Sequence, residues 1–160
     1  MSDTKSLAII ATKGSLDWAY PPFILASTAA ALGYDTQIFF TFYGLQLVRK
    51  KLDLQVTPLG NPGMPMPLAM DKWFPVALTA LPGMQSMMTF MMKNKMKAKG
   101  VASVEELREL CQEAEVKLIA CQMTVDLFDF DHKDFIDGLE FGGAATFFEF
   151  AGESDICLYI

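Results

Sequence analysis

KLIACQMTVDLF, residues 117–128, is the stretch on which the fold turns. Its first half is a short apolar run of buried-strand character, and its second half turns helical with neither glycine nor proline between. A strand that runs straight into a helix is one unit of a parallel sheet. Strands of such a sheet are covered on both faces, so they read as continuous apolar runs rather than alternating ones.

Working outward, the same alternation recurs. Upstream, residues 103–114 predict a helix in which Ser103 and Glu106 have capping-box spacing. Residues 5–12 (KSLAIIAT) predict a first strand, closed by Lys13, Gly14 and Ser15. Residues 16–32 then carry a helical pattern that Pro21 and Pro22 permit if the helix begins near Pro21 or kinks there, with Gly33 as its cap. Residues 34–42 predict a second strand, and residues 44–51 a short helix ending in Arg49, Lys50 and Lys51, charges that suit a helix C-terminus. Residues 54–57 read as a further strand, residues 143–152 as a helix and residues 155–160 as the last strand. The fold class is therefore α/β: a three-layer domain with a roughly five-stranded, mostly parallel sheet and helices on both faces.

The bulk properties fit one domain over residues 1–160. The chain has 160 residues, 52% of them hydrophobic, enough for a core of its own. A net charge of −6 argues against nucleic acid as a partner, because phosphate binding needs concentrated Lys and Arg. Three cysteines without a CxxC pair, and an opening MSDTKSLAIIATKG unlike a cleaved signal peptide, indicate a reducing, cytoplasmic location. His132 is the single histidine, which excludes multi-histidine metal sites. No dinucleotide, Walker A, nucleophile-elbow or zinc-protease motif occurs, so neither a metal nor a cofactor is expected.

Residues 60–100 depart from the α/β pattern and read as an insertion or interface segment. They hold nine of the eleven methionines and a twenty-residue uncharged stretch, residues 73–92, between Lys72 and Lys93. That length meets the minimum for a membrane span, but Pro75, Pro82 and Gly83 interrupt it. Met84, Met87, Met88 and Met91 fall at helical spacing, with Lys93, Lys95, Lys97 and Lys99 behind them. An amphipathic helix of this kind needs a cover: the core or a sister subunit, or else a partner protein or peripheral contact with a membrane surface. The spacing of Met64, Met66 and Met70 also suits soft thioether coordination of Cu(I), with no nearby His or Cys to complete the set.

Cys121 is the leading candidate for chemistry. Ligands of open α/β sheets collect outside the carboxyl ends of the strands, where this thiol stands. If residues 122–128 are helical, Cys121 also lies at a helix N-terminus, where free amides and the dipole favour a negatively charged sulfur. The competing reading is packing, since free cysteine is among the most buried residue types. Packing is the stronger reading for Cys111 on its helix face and for Cys157 inside the last strand. Gly14 and Ser15 after the first strand, Thr41 and Tyr43 after the second, and Gln122 and Met123 beside the thiol would line the same edge. Gly142 and Gly143 open the helix before the last strand, so their amides could receive an anionic sulfur group. Asp126 and Glu140 are candidates for moving protons, and His132 a weaker one.

Ala120-Cys121-Gln122-Met123, with Asp126 behind it, resembles the cysteine motif of the DsrE/DsrF-like sulfurtransferase family, in the branch also called "peroxiredoxin family". Three other stretches agree in order: Gly14 to Asp17, Phe39 to Leu45 with Arg49 and Lys50, and Asp137 to Phe147. Thr124-Val125 departs from the family pattern of a serine or small residue followed by methionine. The resemblance implies a compact parallel α/β domain, usually a homo-oligomer. It further implies a cysteine, matched here by Cys121, that carries sulfane sulfur as persulfide or thiosulfonate and passes it to a TusA-like carrier or another donor or acceptor protein. Two other readings stay open: a thiol peroxidase, suggested by the branch label although no TxxC pattern is present, and a non-enzymatic membrane- or partner-binding module. Flavin binding rests on fold analogy alone.

Overall fold

The protein is described from a computed structural model over residues 4–57 and 75–160. These residues divide into two compact units, one holding residues 18–54 and 103–160 with the first strand, the other holding Ser15–Asp17 and Gln55–Ala102.

The first unit is built on a five-stranded sheet. Its strands are β1 (Ser6–Ala11), β2 (Asp35–Phe40), β3 (Lys117–Cys121), β4 (Glu140–Gly142) and β5 (Ile156–Tyr159), in the order β4-β3-β2-β1-β5. Every pairing is parallel. The α/β class and the parallel sheet are as the apolar runs predict. The membership of the sheet differs in one place. Residues 54–57 form no strand, and the fifth position is taken by β4, in which Glu140 and Gly142 are poor strand formers on either side of Phe141, and which pairs with Ile119, Ala120 and Cys121.

Helix α1 (Leu16–Ala31) runs through Pro21 and Pro22 instead of starting at them. Each proline forfeits one backbone bond, and the fully buried Ala19, Phe23 and Ala26 offset that loss by packing. Gly33 follows at φ +83°, a left-handed conformation that suits glycine. The Phe23 ring lies 5.9 Å from that of Phe40, and the Cys111 thiol of α3 (Val104–Glu113) reaches the Phe23 carbonyl, so α1 and α3 cover the Ile38–Phe40 face of the sheet. The opposite face meets α5 (Ala144–Ala151), where Ala8, Phe39, Ile119, Cys121 and Phe147 form one buried cluster. Between β3 and β4 lies the short helix α4 (Gln122–Leu127).

The predicted capping box is present: Glu106 donates its amide to the Ser103 hydroxyl, and the Glu106 carboxylate accepts from the Ser103 amide at 2.6 Å. The predicted helix at residues 44–51 is a 3-10 helix over Phe42–Val48, and its basic residues fall beyond its end. Arg108 satisfies its last carbonyls instead, with one guanidinium nitrogen donating to Leu47 and Arg49. Burial lowers the pKa of that guanidinium.

In the second unit, α2 (Met84–Ala98) buries Met88 and Thr89. Thr89 accepts from the Val56 amide, Gln85 donates to the Val56 carbonyl, and Asp17 accepts from the Thr57 amide and hydroxyl. Side chains thus satisfy the Val56 amide and carbonyl and the Thr57 amide, and the Leu16 amide donates to the Gln55 carbonyl, where a strand ladder would otherwise have been needed. These bonds fix the rotation of α2 so that Met87, Phe90 and Met91 are exposed, and the stripe predicted through Met84 and Met91 is only partly covered. Met64, Met66, Met70 and Trp73 lie outside the described residues, and among those described no helix is long and apolar enough to cross a membrane.

Candidate functional site

Cys121 closes β3 and is the N-cap residue of α4, with no side chain capping the helix start. Because side chains alternate along a strand, Cys121 shares the face of Ile119 and points to the α5 side. There it is only 5% exposed, enclosed with Phe39 and Phe147. In the sheet register it stands beside Gly142. Gly143, the next residue, is the N-cap of α5 and likewise brings no side-chain cap. The first amides of an eight-residue helix therefore begin one residue from the partner of the cysteine.

Both glycines are used, in different ways. A Cβ on Gly142 would come within 2.9 Å of the Thr146 hydroxyl, so its bareness lets the first turn of α5 fold down, whereas the space around Gly143 is open. On the other side of Cys121, Thr41 follows Phe40, the partner of Ala120, and so is level with the cysteine. The Thr41 hydroxyl lies 3.2 Å from that of Thr124, which also accepts from the Phe42 amide at 3.4 Å. Phe42 has φ +49°, uncommon for a residue with a side chain, and the bond to Thr124 helps hold it. Gly14 and Gly44 bring the first two loops together: a Cβ would fall 2.3 Å from the Tyr43 carbonyl at Gly14 and 2.1 Å from the Ala11 carbonyl at Gly44.

The candidate residues therefore separate. Cys121, Gly142, Gly143 and Thr41 meet at the carboxyl edge of the sheet, and Gly14 and Tyr43 build the adjoining loops. Tyr43 is exposed and stacks on Phe128, with ring centroids 5.9 Å apart. Met123 is exposed on α4, and the Gln122 amide donates to Asp126 at 2.7 Å, which occupies that carboxylate. Ser15 belongs to the second unit. Glu140 is engaged by Lys117 at 3.2 Å. His132 stacks on Phe141, centroids 3.9 Å apart, and alternation puts Phe141 on the sheet face opposite Cys121. His132 is thus no neighbour of the thiol.

The other two cysteines differ sharply. Cys111 is fully buried, donates to the Phe23 carbonyl at 3.4 Å, and burial pushes its thiol up to about 12, which makes it inert packing. Cys157 is exposed, although its place inside the last strand predicts packing, because β5 turns out to be an edge. The sequence reading missed Thr124 and Phe147. Thr124 stood out as a departure from the family pattern, and Phe147 had no signal beyond its place on a helix near a glycine pair.

An open, all-parallel α/β sheet with a cysteine at the end of one strand and a glycine-led helix beside it defines the class of protein. The chain belongs to the DsrE/DsrF/DrsH-like family, whose model matches residues 3–159. It is 80% identical, over 99% of both chains, to the sulfur carrier protein DsrE2 of Allochromatium vinosum. It is 32% identical, over 98% of both chains, to the uncharacterized protein YrkE of Bacillus subtilis. The crystal structure of the ychN protein from E. coli shares the fold, with a TM-score of 0.56 and 12% identity over 98% of this chain and all of that one.

Proposed function

We propose that this protein is a sulfur carrier that holds sulfane sulfur on Cys121 and relays it to another sulfur-carrying protein. One observation supports the reading above the rest: Cys121 ends its strand beside Gly142, where α5 begins with uncapped amides. The relative that is 80% identical to this chain is named a sulfur carrier, which points the same way.

In the proposed step the Cys121 thiolate attacks the outer sulfur of a donor persulfide. A new S–S bond forms at Cys121, the donor's own S–S bond breaks, and the donor leaves as a thiolate. The terminal sulfur then carries the negative charge. Amides of Gly143 and the first turn of α5 would receive it, as a helix N-terminus receives other anions. Thr41 and the bond between Thr124 and Phe42 hold the backbone around the cysteine, and Gly14, Tyr43 and Met123 form the adjoining surface against which a donor or acceptor protein such as a TusA-like carrier would dock. We place the protein in a reducing compartment as a homo-oligomer that works as one domain, with the exposed Met87, Phe90 and Met91 of α2 available to a partner or membrane surface.

The test is the intact mass of the wild type and of Cys121→Ser after exposure to a panel of sulfane-sulfur donors, with and without reductant. A reducible adduct of whole sulfur atoms on the wild type alone is expected. Equal loading of both proteins would sink the assignment.

A further inference from the structure

Among the described residues no strand pairs with the outer side of β5, which lies at the end of the sheet. Folded proteins usually guard such an edge with charge, proline, a bulge or extreme shortness. The opposite edge follows that rule: β4 has three residues, and its Glu140, with 56% of the side chain exposed, is ion-paired to Lys117. β5 has no such guard. Its four residues Ile156-Cys157-Leu158-Tyr159 are uncharged, Ile156 and Cys157 are exposed, and Tyr159 is 75% exposed. The one acid next to it, Asp155, is turned inward, where its carboxylate accepts from the Ser6 amide at 2.7 Å and from the Ser6 hydroxyl at 3.2 Å.

The hydrogen-bonding direction of each residue follows from the β1 pairing. Ile160 donates to the Ile10 carbonyl and accepts from the Thr12 amide, so both of its backbone groups face β1. Alternation then turns Leu158 and Ile156 the same way and leaves the N–H and C=O of Cys157 and Tyr159 pointing outward. Two outward residues, two positions apart, are complementary to themselves. An antiparallel copy related by a two-fold axis at Leu158 pairs Cys157 with Tyr159 of the other protomer, and Tyr159 with its Cys157. All four outward groups of each copy are then used. A register centred on Cys157 would instead oppose Tyr159 to Asp155, whose amide is already given to the Ser6 hydroxyl.

We infer that β5 is a self-association edge, where a second copy of this chain adds its own β5 antiparallel with Leu158 on the two-fold axis, making one continuous sheet across two protomers. The interaction is isologous, so it closes at two copies and does not propagate. This inference gives the homo-oligomer proposed above a specific interface and is independent of sulfur chemistry at Cys121.

The register is directly testable. Residues on the axis form a non-hydrogen-bonded pair with Cα atoms about 4.5 Å apart, within disulfide reach, whereas the two Cys157 residues lie roughly 8–9 Å apart, beyond it. Leu158→Cys in a Cys157→Ser background is therefore expected to give a disulfide-linked dimer on mild oxidation, while the wild type gives no disulfide through Cys157. Separately, Tyr159→Pro removes an outward amide without touching the β1 ladder, and should halve the assembly mass measured by light scattering while leaving circular dichroism unchanged. A wild type that is monomeric at high concentration would overturn both the interface and the proposed assembly. An oligomer that keeps its mass in Tyr159→Pro, with no disulfide from Leu158→Cys, would overturn the edge alone. Sulfur loading of Cys121 in the same samples reports the carrier reading independently.

Discussion

Phe147 encloses the sulfur of Cys121, and truncating it tests whether that enclosure is energetic as well as geometric. The ring is 5% exposed and packs in one cluster with Cys121, Phe39, Ile119 and Ala8. Buried Phe→Ala changes cost about 3–5 kcal/mol. The Phe39 ring, its centroid 5.3 Å away and tilted 41°, is an aromatic partner lost with it. Such a pair is worth about 0.5–1.5 kcal/mol and is already contained in the total cost, so the expectation for Phe147→Ala is the middle of the Phe→Ala range, about 4 kcal/mol. Phe147→Leu refills much of the volume and is expected to cost about 1.5 kcal/mol or less. Urea unfolding with an unchanged slope reads both values. In α5, Phe147 is the one buried residue, so much of the loss falls on local opening of this helix above the thiol. Alkylation of Cys121, followed by peptide mass mapping, should accelerate by up to about a thousandfold in Phe147→Ala, since each 1.4 kcal/mol is a factor of about ten. A cost below about 1 kcal/mol, or an unchanged alkylation rate alongside the full loss of stability, would refute the reasoning.

Gly44→Ala should be destabilising by about 3 kcal/mol, the upper end for overpacking, because its Cβ meets the backbone of β1 at Ala11, 2.1 Å away. Gly143→Ala, which meets nothing within 4 Å, should stay within about 0.5 kcal/mol of wild type, and thermal melting of the two variants side by side checks the contrast. The carboxyl of Glu106 is held below its ordinary range by the backbone and side-chain bonds with Ser103. Its contribution is therefore present above about pH 5, past the unfolded value, and is lost as pH falls through the depressed folded value. The stability difference between wild type and Glu106→Ala should shrink in acid, and a difference that widens there would contradict the capping box.

The parts of the fold legible in the sequence are those where local pattern and tertiary demand agree. Apolar runs at residues 7–11 and 118–121 belong to strands covered on both faces, and Ser103 with Glu106 marks a helix start from backbone chemistry alone. What escaped reading depended on partners distant in the chain. β4 is a strand because Cys121 and Ala120 offer it a ladder, and residues 54–57 are not one because Thr89, Gln85 and Asp17 satisfy the nearby amides and carbonyls first. The thiol was legible for the same reason as its strand, since the end of an apolar run before a helix marks the carboxyl edge. Thr124 was not, because a threonine inside a short helix is ordinary until Thr41 and the Phe42 amide are placed against it. The left-handed Phe42 and the close approach of Gly44 to Ala11 likewise arise only when two loops are brought together.

The pairing of β1 with β5 sets the timetable by which the chain can fold. Ser6 and Asp155, which clamp those strands together, are 149 positions apart. At synthesis rates of about 5–20 residues per second, β1 emerges from the ribosome on the order of ten seconds or more before the strand that will cover one side of it. During that interval β1 can already pair with β2, but its other row of amides and carbonyls faces water or whatever else binds an extended segment. The nascent chain is therefore most open to mispairing along β1, and a chaperone that protects it would be needed there until residues 156–159 have been made.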